Sequence, residues 1–269
     1  MKLSEAIAIL KESGVDSARH DARELFSSIG GFSISRMLTE DVECDSYELV
    51  SAIERRASRE PLQYIVGKTY FYNEEYETAP ACLIPRQDTE LLVDYAVKHL
   101  PSGKSFVDLC TGSGCVGVSV LKNTVGTTAV MADISPEALA VAKRNAERNG
   151  VFNRAEFLLC DVTESRVTDK CFAVLSNPPY VSEVAYASLE REIFYEPRIA
   201  FVGGADGGDF YRKLVPIYKS VIESDGFIAF EIGYDQGALL RGIAEDNAMI
   251  CEILRDFSGN DRVAVLRNM

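Results

Sequence analysis

Histidine is scarce: His20 and His99 are the only two in 269 residues, too few for an imidazole-rich metal centre. Cysteine is present without a pattern. The seven thiols, an odd number, show neither a disulfide framework nor paired zinc-ligand spacing, and read as reduced and mostly buried. No apolar run is long enough to cross a bilayer. A secretory signal is not expected either, because Glu5 and Lys11 bracket a short stretch whose Leu3, Ile7 and Leu10 share one helical face. Basic clusters are also lacking, Arg55-Arg56 being only a pair. With a net charge of -13, the chain is poorly suited to neutralising the phosphates of duplex DNA. The same charge favours a basic partner, through long-range attraction that weakens with salt. The 47% hydrophobic content suffices for one large domain plus a small one, in a soluble cytoplasmic chain without repeats or low-complexity tracts.

Punctuation residues divide the chain. Residues 1 to 64 read as short helices: 3 to 13, 17 to 29 ending at Gly30-Gly31, and a third from near Ser46 with Leu49, Val50 and Ile53 on one side. His20, beside acids in the second helix, reads as a surface or interdomain residue. Residues 65 to 83 carry alternating aromatics, Tyr70, Tyr72 and Tyr76, around Asn73-Glu74-Glu75, which predicts a hairpin joining two domains. From 84 to 269, apolar strands alternate with helical segments, the pattern of a parallel doubly wound sheet. Strands are expected at 105 to 109, 127 to 132, 155 to 160, 171 to 176 and 226 to 232. The last two runs, 249 to 255 and 262 to 267, flank Ser258-Gly259-Asn260-Asp261, so a tight reversal makes the final strand antiparallel.

Three strand ends carry ligand-type residues. Ser105 to Leu109 runs into Cys110-Thr111-Gly112-Ser113-Gly114, a glycine turn that lets backbone approach a ligand at the carboxyl end of a parallel strand. It lacks the spacing and the Lys-Ser or Lys-Thr of a phosphate-binding loop. The apolar run Ala129 to Ala132 ends at Asp133, where a carboxylate accepts from ribose hydroxyls. Ser135 is the better cap for the helix that follows, which leaves Asp133 to the ligand. Ala155 to Cys160 ends at Asp161-Val162, where the acid suits an adenine amine and the valine packs against the ring. An Asp after a strand is equally often a plain turn residue.

The most informative stretch is Asn177-Pro178-Pro179-Tyr180, after the apolar Val174-Leu175-Ser176. A planar NH2 group is a poor nucleophile because its lone pair is delocalised, so an enzyme must hold both N–H groups in acceptors. Asn177 offers its side-chain carbonyl and Pro178 its main-chain carbonyl, while two prolines stiffen the loop and remove competing donors. Tyr180 is expected to lay its ring along the planar group with its hydroxyl near water. Orientation supplies most of the acceleration, and no general base is evident. Read as structure alone, Asn-Pro-Pro is an ordinary turn.

Together these segments resemble the class I methyltransferases that use S-adenosylmethionine. Over nearly the whole chain they resemble the HemK-type, or PrmC-type, release-factor glutamine methyltransferases. The likeness is carried by Ala18 to Leu25, Glu60 to Gly67, the distinctive Leu83-Ile84-Pro85-Arg86-Gln87-Asp88-Thr89-Glu90, Glu196 to Ala200, Gly203 to Gly207 and Arg255 to Arg262. It implies a Rossmann-like α/β fold with a seven-stranded, mostly parallel sheet and a small helical domain at the amino terminus that helps grip the substrate.

The resemblance also implies methyl transfer from S-adenosylmethionine, leaving S-adenosylhomocysteine, to the glutamine of the Gly-Gly-Gln motif in peptide chain release factors. Asn177, Pro178 and Tyr180 would be catalytic, and with Pro179 would bind the substrate. Cys110, Thr111, Gly112, Ser113, Gly114, Asp133, Asp161, Val162 and Asn177 would contact the cofactor. Two positions depart from the family: Cys110 stands where a glycine is usual, and Val162 where a bulkier aromatic often stacks. Arg86 is read as a guide for substrate or the cofactor carboxylate, or as an ion-pair partner of Asp88 or Glu90. Glu196 and Arg198 are candidates for the substrate entrance. The competing readings are a DNA adenine or cytosine amino-methyltransferase, which needs base flipping and a phosphate-binding surface, and a non-catalytic cofactor-binding scaffold.

Overall fold

Apolar residues spaced three and four apart shape the amino-terminal part. In the computed structural model, which describes all 269 residues, they form α1 (Leu3–Glu12), α2 (Ala18–Ser28), α3 (Ile34–Thr39), α4 (Tyr47–Ala57) and α5 (Leu62–Val66). Leu3, Leu10, Leu25, Phe26, Leu49 and Ile53 meet in one small core. Ser46 caps α4 by accepting from Leu49 N, and α5 stops at Gly67, whose φ of 79° suits a glycine. This first unit comprises Met1–Lys68 and also Glu190–Tyr195. That late segment is held by charge. Arg56 is buried, with its Nε 2.7 Å from Asp21 and its Nη2 3.2 Å from Glu192, and the Tyr195 hydroxyl donates to the Ser58 carbonyl at 2.7 Å. His20 is exposed, 3.2 Å from Asp21.

The second unit is Thr69–Leu189 with Glu196–Met269. It opens with the hairpin β1 (Lys68–Phe71) and β2 (Glu74–Glu77), shorter than the expected 65 to 83 because α5 continues to Val66. The hairpin is no free linker. Phe71 and Tyr76 are buried in the core, the Tyr76 hydroxyl is 2.6 Å from Ser119 Oγ, and Asn145 Oδ1 accepts from Glu77 N at 2.7 Å. Then follow α6 (Glu90–His99), β3 (Ser105–Leu109), α7 (Cys115–Lys122), β4 (Thr128–Asp133), α8 (Pro136–Arg148), β5 (Ala155–Leu159), β6 (Cys171–Ser176), α9 (Glu183–Tyr186), α10 (Asp209–Lys219), β7 (Ile222–Glu231), α11 (Gly237–Asp246), β8 (Met249–Arg255) and β9 (Asp261–Asn268).

Seven strands lie in the order β5-β4-β3-β6-β7-β9-β8. The pairs from β5 to β7 are parallel, and β9 is antiparallel to both β7 and β8. Residues of β3 alternate between two cores: Phe106 packs with α6 and α7 residues such as Leu92 and Val118, and Val107 and Leu109 pack with Tyr211, Leu214 and Leu240 of α10 and α11. Burial on both faces explains why β6 reads as a continuous apolar run. β7 begins four residues before the expected 226, because Glu223, Ser224 and Asp225 look like a turn yet belong to the strand, whose pairing with β6 is irregular near Cys171. From β3 the chain winds to β4 and β5, then crosses back to β6, so β3 and β6 flank the topological switch point, where ligands enter open α/β sheets. No helix is long and apolar enough to cross a membrane.

Candidate active site

A cavity of about 400 Å³ opens at this switch point, within the range of small-molecule clefts. The turn after β3 forms its floor. Cys110 has φ 56°, Gly112 has φ 54° and Gly114 has φ 81°. A Cβ on Gly114 would stand 3.0 Å from Ala142 Cβ and Met131 Cε, so the absent side chain lets α7 approach α8 and β4. Asp108 lies beneath the turn, 1% exposed, its Oδ2 accepting from Thr111 Oγ1 at 2.6 Å and Gly117 N at 2.9 Å. Burial pushes its carboxyl up to about 7. Of the residues expected to contact the cofactor, Cys110, Thr111, Gly112, Ser113, Asp133, Asp161, Val162 and Asn177 line the cavity, and Gly114 acts through packing.

Asp133 ends β4 and spans two turns, its Oδ2 accepting from Gly112 N at 2.8 Å and its Oδ1 from Ser135 N at 2.9 Å. Ser135 caps α8, accepting from Ala138 N at 3.1 Å. Burial raises the Asp133 pKa, opposed by those backbone N–H groups. Asp161 is exposed and turned onto Thr163, accepting from its N at 2.9 Å and its Oγ1 at 2.8 Å. Val162 is buried against the α10 side of the core.

The Asn177 loop closes the other wall. Asn177 and Pro179 line the cavity, and Asn177 Nδ2 donates to Thr89 Oγ1 at 3.3 Å. Pro178 is buried and not part of the lining. Tyr180 departs from expectation. Its hydroxyl is not near water but donates to buried Glu231 Oε1 at 3.1 Å, and its ring packs against the core rather than along the cavity. Pro179 and Tyr180 are pressed from behind by two glycines: a Cβ on Gly203 would meet Pro179 O at 2.3 Å, and one on Gly207 would meet Tyr180 O at 2.1 Å. Gln236 Nε2 also donates to Tyr180 O at 3.1 Å.

The Arg86 reading needs a correction as well. Its ion-pair partner is Glu196, not Asp88 or Glu90, and Glu196 also accepts from Ile84 N at 2.9 Å. Burial raises the Glu196 pKa in spite of Arg86. Glu196 is therefore a buried strut rather than an entrance residue, and Arg198 sits outside, paired with Glu183. Composition gave no hint that four of the seven cysteines, Cys82, Cys110, Cys115 and Cys160, line this one cavity. Burial raises all four thiols, Cys82 to about 12, so none is a ready thiolate. Thr89, Asp108 and Glu231 were also missed as site residues. The signal was there for the two acids, since Glu231 ends β7 as Asp133 ends β4, and Asp108 stands one residue before the end of β3.

Comparison with known proteins agrees along the chain. The family described as "Methyltransferase small domain" matches residues 87–201, and "PrmC N-terminal domain" matches residues 2–67. A release factor glutamine methyltransferase of Geobacter sulfurreducens is 34% identical over 260 residues, covering 94% of this chain and 91% of its own length. One from Thermodesulfovibrio yellowstonii is 35% identical over 257 residues, covering 92% and 91%. The chain belongs to the release factor glutamine methyltransferase family. It is an S-adenosylmethionine-dependent methyltransferase. Solved structures share the fold at low identity: the hMettl16 catalytic domain at TM-score 0.58 and 12% identity, covering 82% of this chain and 80% of that one, and a ribosomal protein L11 methylase from Lactobacillus delbrueckii at 0.51 and 18%, covering 68% and 81%.

The cavity suits this family's cofactor by the chemistry of its walls. Each Asp133 oxygen accepts one backbone N–H and keeps a lone pair that a diol would meet, Val162, Ala138 and Ile134 offer apolar surface for a flat base, and the Gly112 turn would leave backbone open to a polar chain. When bound, S-adenosylmethionine supplies an electrophilic methyl group.

Proposed function

We propose that this enzyme methylates the side-chain amide nitrogen of the glutamine in the Gly-Gly-Gln motif of peptide chain release factors, in the cytoplasm. The observation that carries the reading is Asn177. Its amide stands in the cavity wall with Nδ2 occupied by Thr89, leaving Oδ1 to accept a substrate N–H. Cys110 through Ser113, Asp133, Asp161 and Val162 hold the cofactor, and Gly114 shapes the turn. Pro178 contributes its main-chain carbonyl, Pro179 borders the amide, and Tyr180 anchors the loop through Glu231 instead of stacking on the substrate. Accepting both N–H groups aligns the nitrogen for attack, and the proton leaves after methyl transfer.

Large apolar side chains stand exposed on loops leaving this edge of the sheet, among them Ile199, Tyr234 and Phe257. Such side chains suit a protein surface better than a free amino acid. The net charge of -13 suits a basic protein better than DNA. The reading is tested by offering labelled S-adenosylmethionine with a purified release factor, its Gln-to-Ala variant and duplex DNA in parallel. Label on the Gly-Gly-Gln glutamine, absent from the variant, is expected. Label on DNA alone would overturn the reading, and label on none of them would point to another substrate or a binding role.

A further inference from the structure

Main-chain carbonyls crowd behind the Asn177 loop. A Cβ on Gly203 would stand 2.3 Å from Pro179 O and 2.8 Å from Gly207 O, and one on Gly207 would stand 2.1 Å from Tyr180 O. Carbonyl oxygens carry no proton, so buried ones need a donor from elsewhere. Gln236, at the amino-terminal cap position of α11 and 7% exposed, supplies it. Its Nε2 donates to Tyr180 O at 3.1 Å and to Gly207 O at 3.3 Å. Its Oε1 accepts from Gly233 N at 2.9 Å and from the Tyr211 hydroxyl at 3.3 Å. A main-chain N–H can only donate, so Gly233 fixes which end of the amide is oxygen and leaves both protons of Nε2 for the two carbonyls. Gln236 does not line the cavity.

The two carbonyls belong to different loops. Tyr180 closes the Asn177 loop, whereas Gly207 lies in a loop braced from its other side: Gly203 N donates to Val181 O at 2.9 Å, Asp209 N donates to Gly203 O at 3.0 Å, and Arg212 Nη1 holds Asp206 Oδ1 at 2.9 Å. One side-chain NH2 thus ties the Asn177 loop to a fixed neighbour. Between Tyr180 and Asn177 stand Pro178 and Pro179, each with φ locked by its ring, so a shift at the Tyr180 carbonyl passes to Asn177 with little play. We propose that Gln236 is a positioning residue for methyl transfer, its NH2 group clamping the Tyr180 carbonyl to the Gly207 loop and so holding Asn177 in the cavity wall. The proposal rests on the reading above of Asn177 as the acceptor for the substrate amide. Without the clamp, both buried carbonyls lose a donor and the loop shifts to recover one.

The test uses the full-length protein as Gln236→Leu and Gln236→Glu. Leucine keeps the bulk and loses every hydrogen bond, so single-turnover methyl transfer to the release factor at saturating cofactor is expected to fall about 10- to 100-fold, while the cofactor Kd stays within about threefold. Glutamate adds a readout that a packing role would not move. Protonated, it keeps an O–H for one of the carbonyls; ionised, it sets a negative charge against both. Burial raises such a carboxyl, so the ratio of the Gln236→Glu rate to the wild-type rate should fall as pH rises from about 5.5 to about 8.5. The titratable and charged groups around position 236, namely Tyr180, Tyr211, Glu231, Asp235, Arg241 and Asp261, are common to both proteins, and the ratio cancels them. A third readout needs no substrate: the side-chain NH2 resonances of Asn177, assigned by their loss in Asn177→Ala, should shift in folded Gln236→Leu. A near wild-type rate in folded Gln236→Leu would overturn the proposal, and so would a pH-independent ratio in folded Gln236→Glu. Equal loss of rate and cofactor affinity, or loss of the fold in both variants, would overturn it as well, each being the mark of a purely structural role. If only one variant folds, it decides alone. A wild-type enzyme that labels no release factor would defeat the proposed substrate instead, and the Asn177 resonances would then judge the clamp, which unchanged resonances would refute.

Discussion

On the glycine-turn wall, hydrogen bonds join near neighbours: Thr111 and Asp108 are 3 residues apart, Gly117 and Asp108 are 9, and Gly112 and Asp133 are 21. On the Asn177 wall they join distant segments, with 88 residues between Asn177 and Thr89, and 51 between Tyr180 and Glu231. The first wall is a strand, a turn and a helix cap, nearly self-contained. The second exists only once β6, β7 and the segment before α6 are side by side. Damage to the first should therefore be felt in cofactor affinity, and damage to the second in the rate of transfer.

The largest separation of the two is expected from Asn177→Ala. Losing the acceptor should lower single-turnover methyl transfer about 10²- to 10³-fold, the scale seen when one preorganised polar group is removed from a site. Calorimetric cofactor affinity should stay within a few-fold, since the Asp133 side is untouched.

Next comes Asp108, which belongs to the first wall alone. Burial holds its carboxyl at about 7 in the folded protein, against 3.8 ordinarily. The folded state thus retains a proton that the unfolded chain releases between these values. That contribution to stability is complete below about pH 4, declines as pH rises towards 7, and is absent above. Asp108→Asn keeps an acceptor for Thr111 and Gly117 and should remove this decline. Urea unfolding at pH 5 and pH 8 would show it, with wild type losing on the order of a few kcal/mol between them and the variant much less.

The difference between the walls also explains what could be read from sequence. Cys110 to Gly114 and Asp133 stood out because their partners are close in the chain, and Ser135 read correctly as the cap of α8. Asn177 stood out by its chemistry. The orientation of Tyr180 did not, because it depends on Glu231 at the end of another strand, and no local pattern distinguishes a tyrosine that stacks on substrate from one that anchors a loop. Arg86 misled for the same reason: Asp88 and Glu90 are near in sequence, but folding supplies Glu196. The parallel sheet followed from alternating strands and helices, whereas the capture of Glu190–Tyr195 by Arg56 and Arg59 rests on contacts across more than 130 residues.

The smallest effect concerns Cys110, a residue with a side chain at φ 56°. Left-handed backbone costs a non-glycine residue about 1–2 kcal/mol, partly offset by the greater freedom of glycine in the unfolded chain. Cys110→Gly should raise Tm by roughly 2 °C at most in a domain of this size, without loss of cofactor affinity. A drop in Tm would mean that thiol packing outweighs backbone strain.

The independence of the two walls is best judged by one set of measurements: cofactor Kd and single-turnover rate at saturating cofactor for Asp133→Asn, Asn177→Ala and the double variant. Asp133→Asn should weaken cofactor binding about tenfold through loss of charge-assisted hydrogen bonds and leave the saturated rate nearly intact. Asn177→Ala should do the reverse, with the double variant showing the sum of both free-energy changes. Loss of both quantities together in either single variant would contradict the division of labour described here.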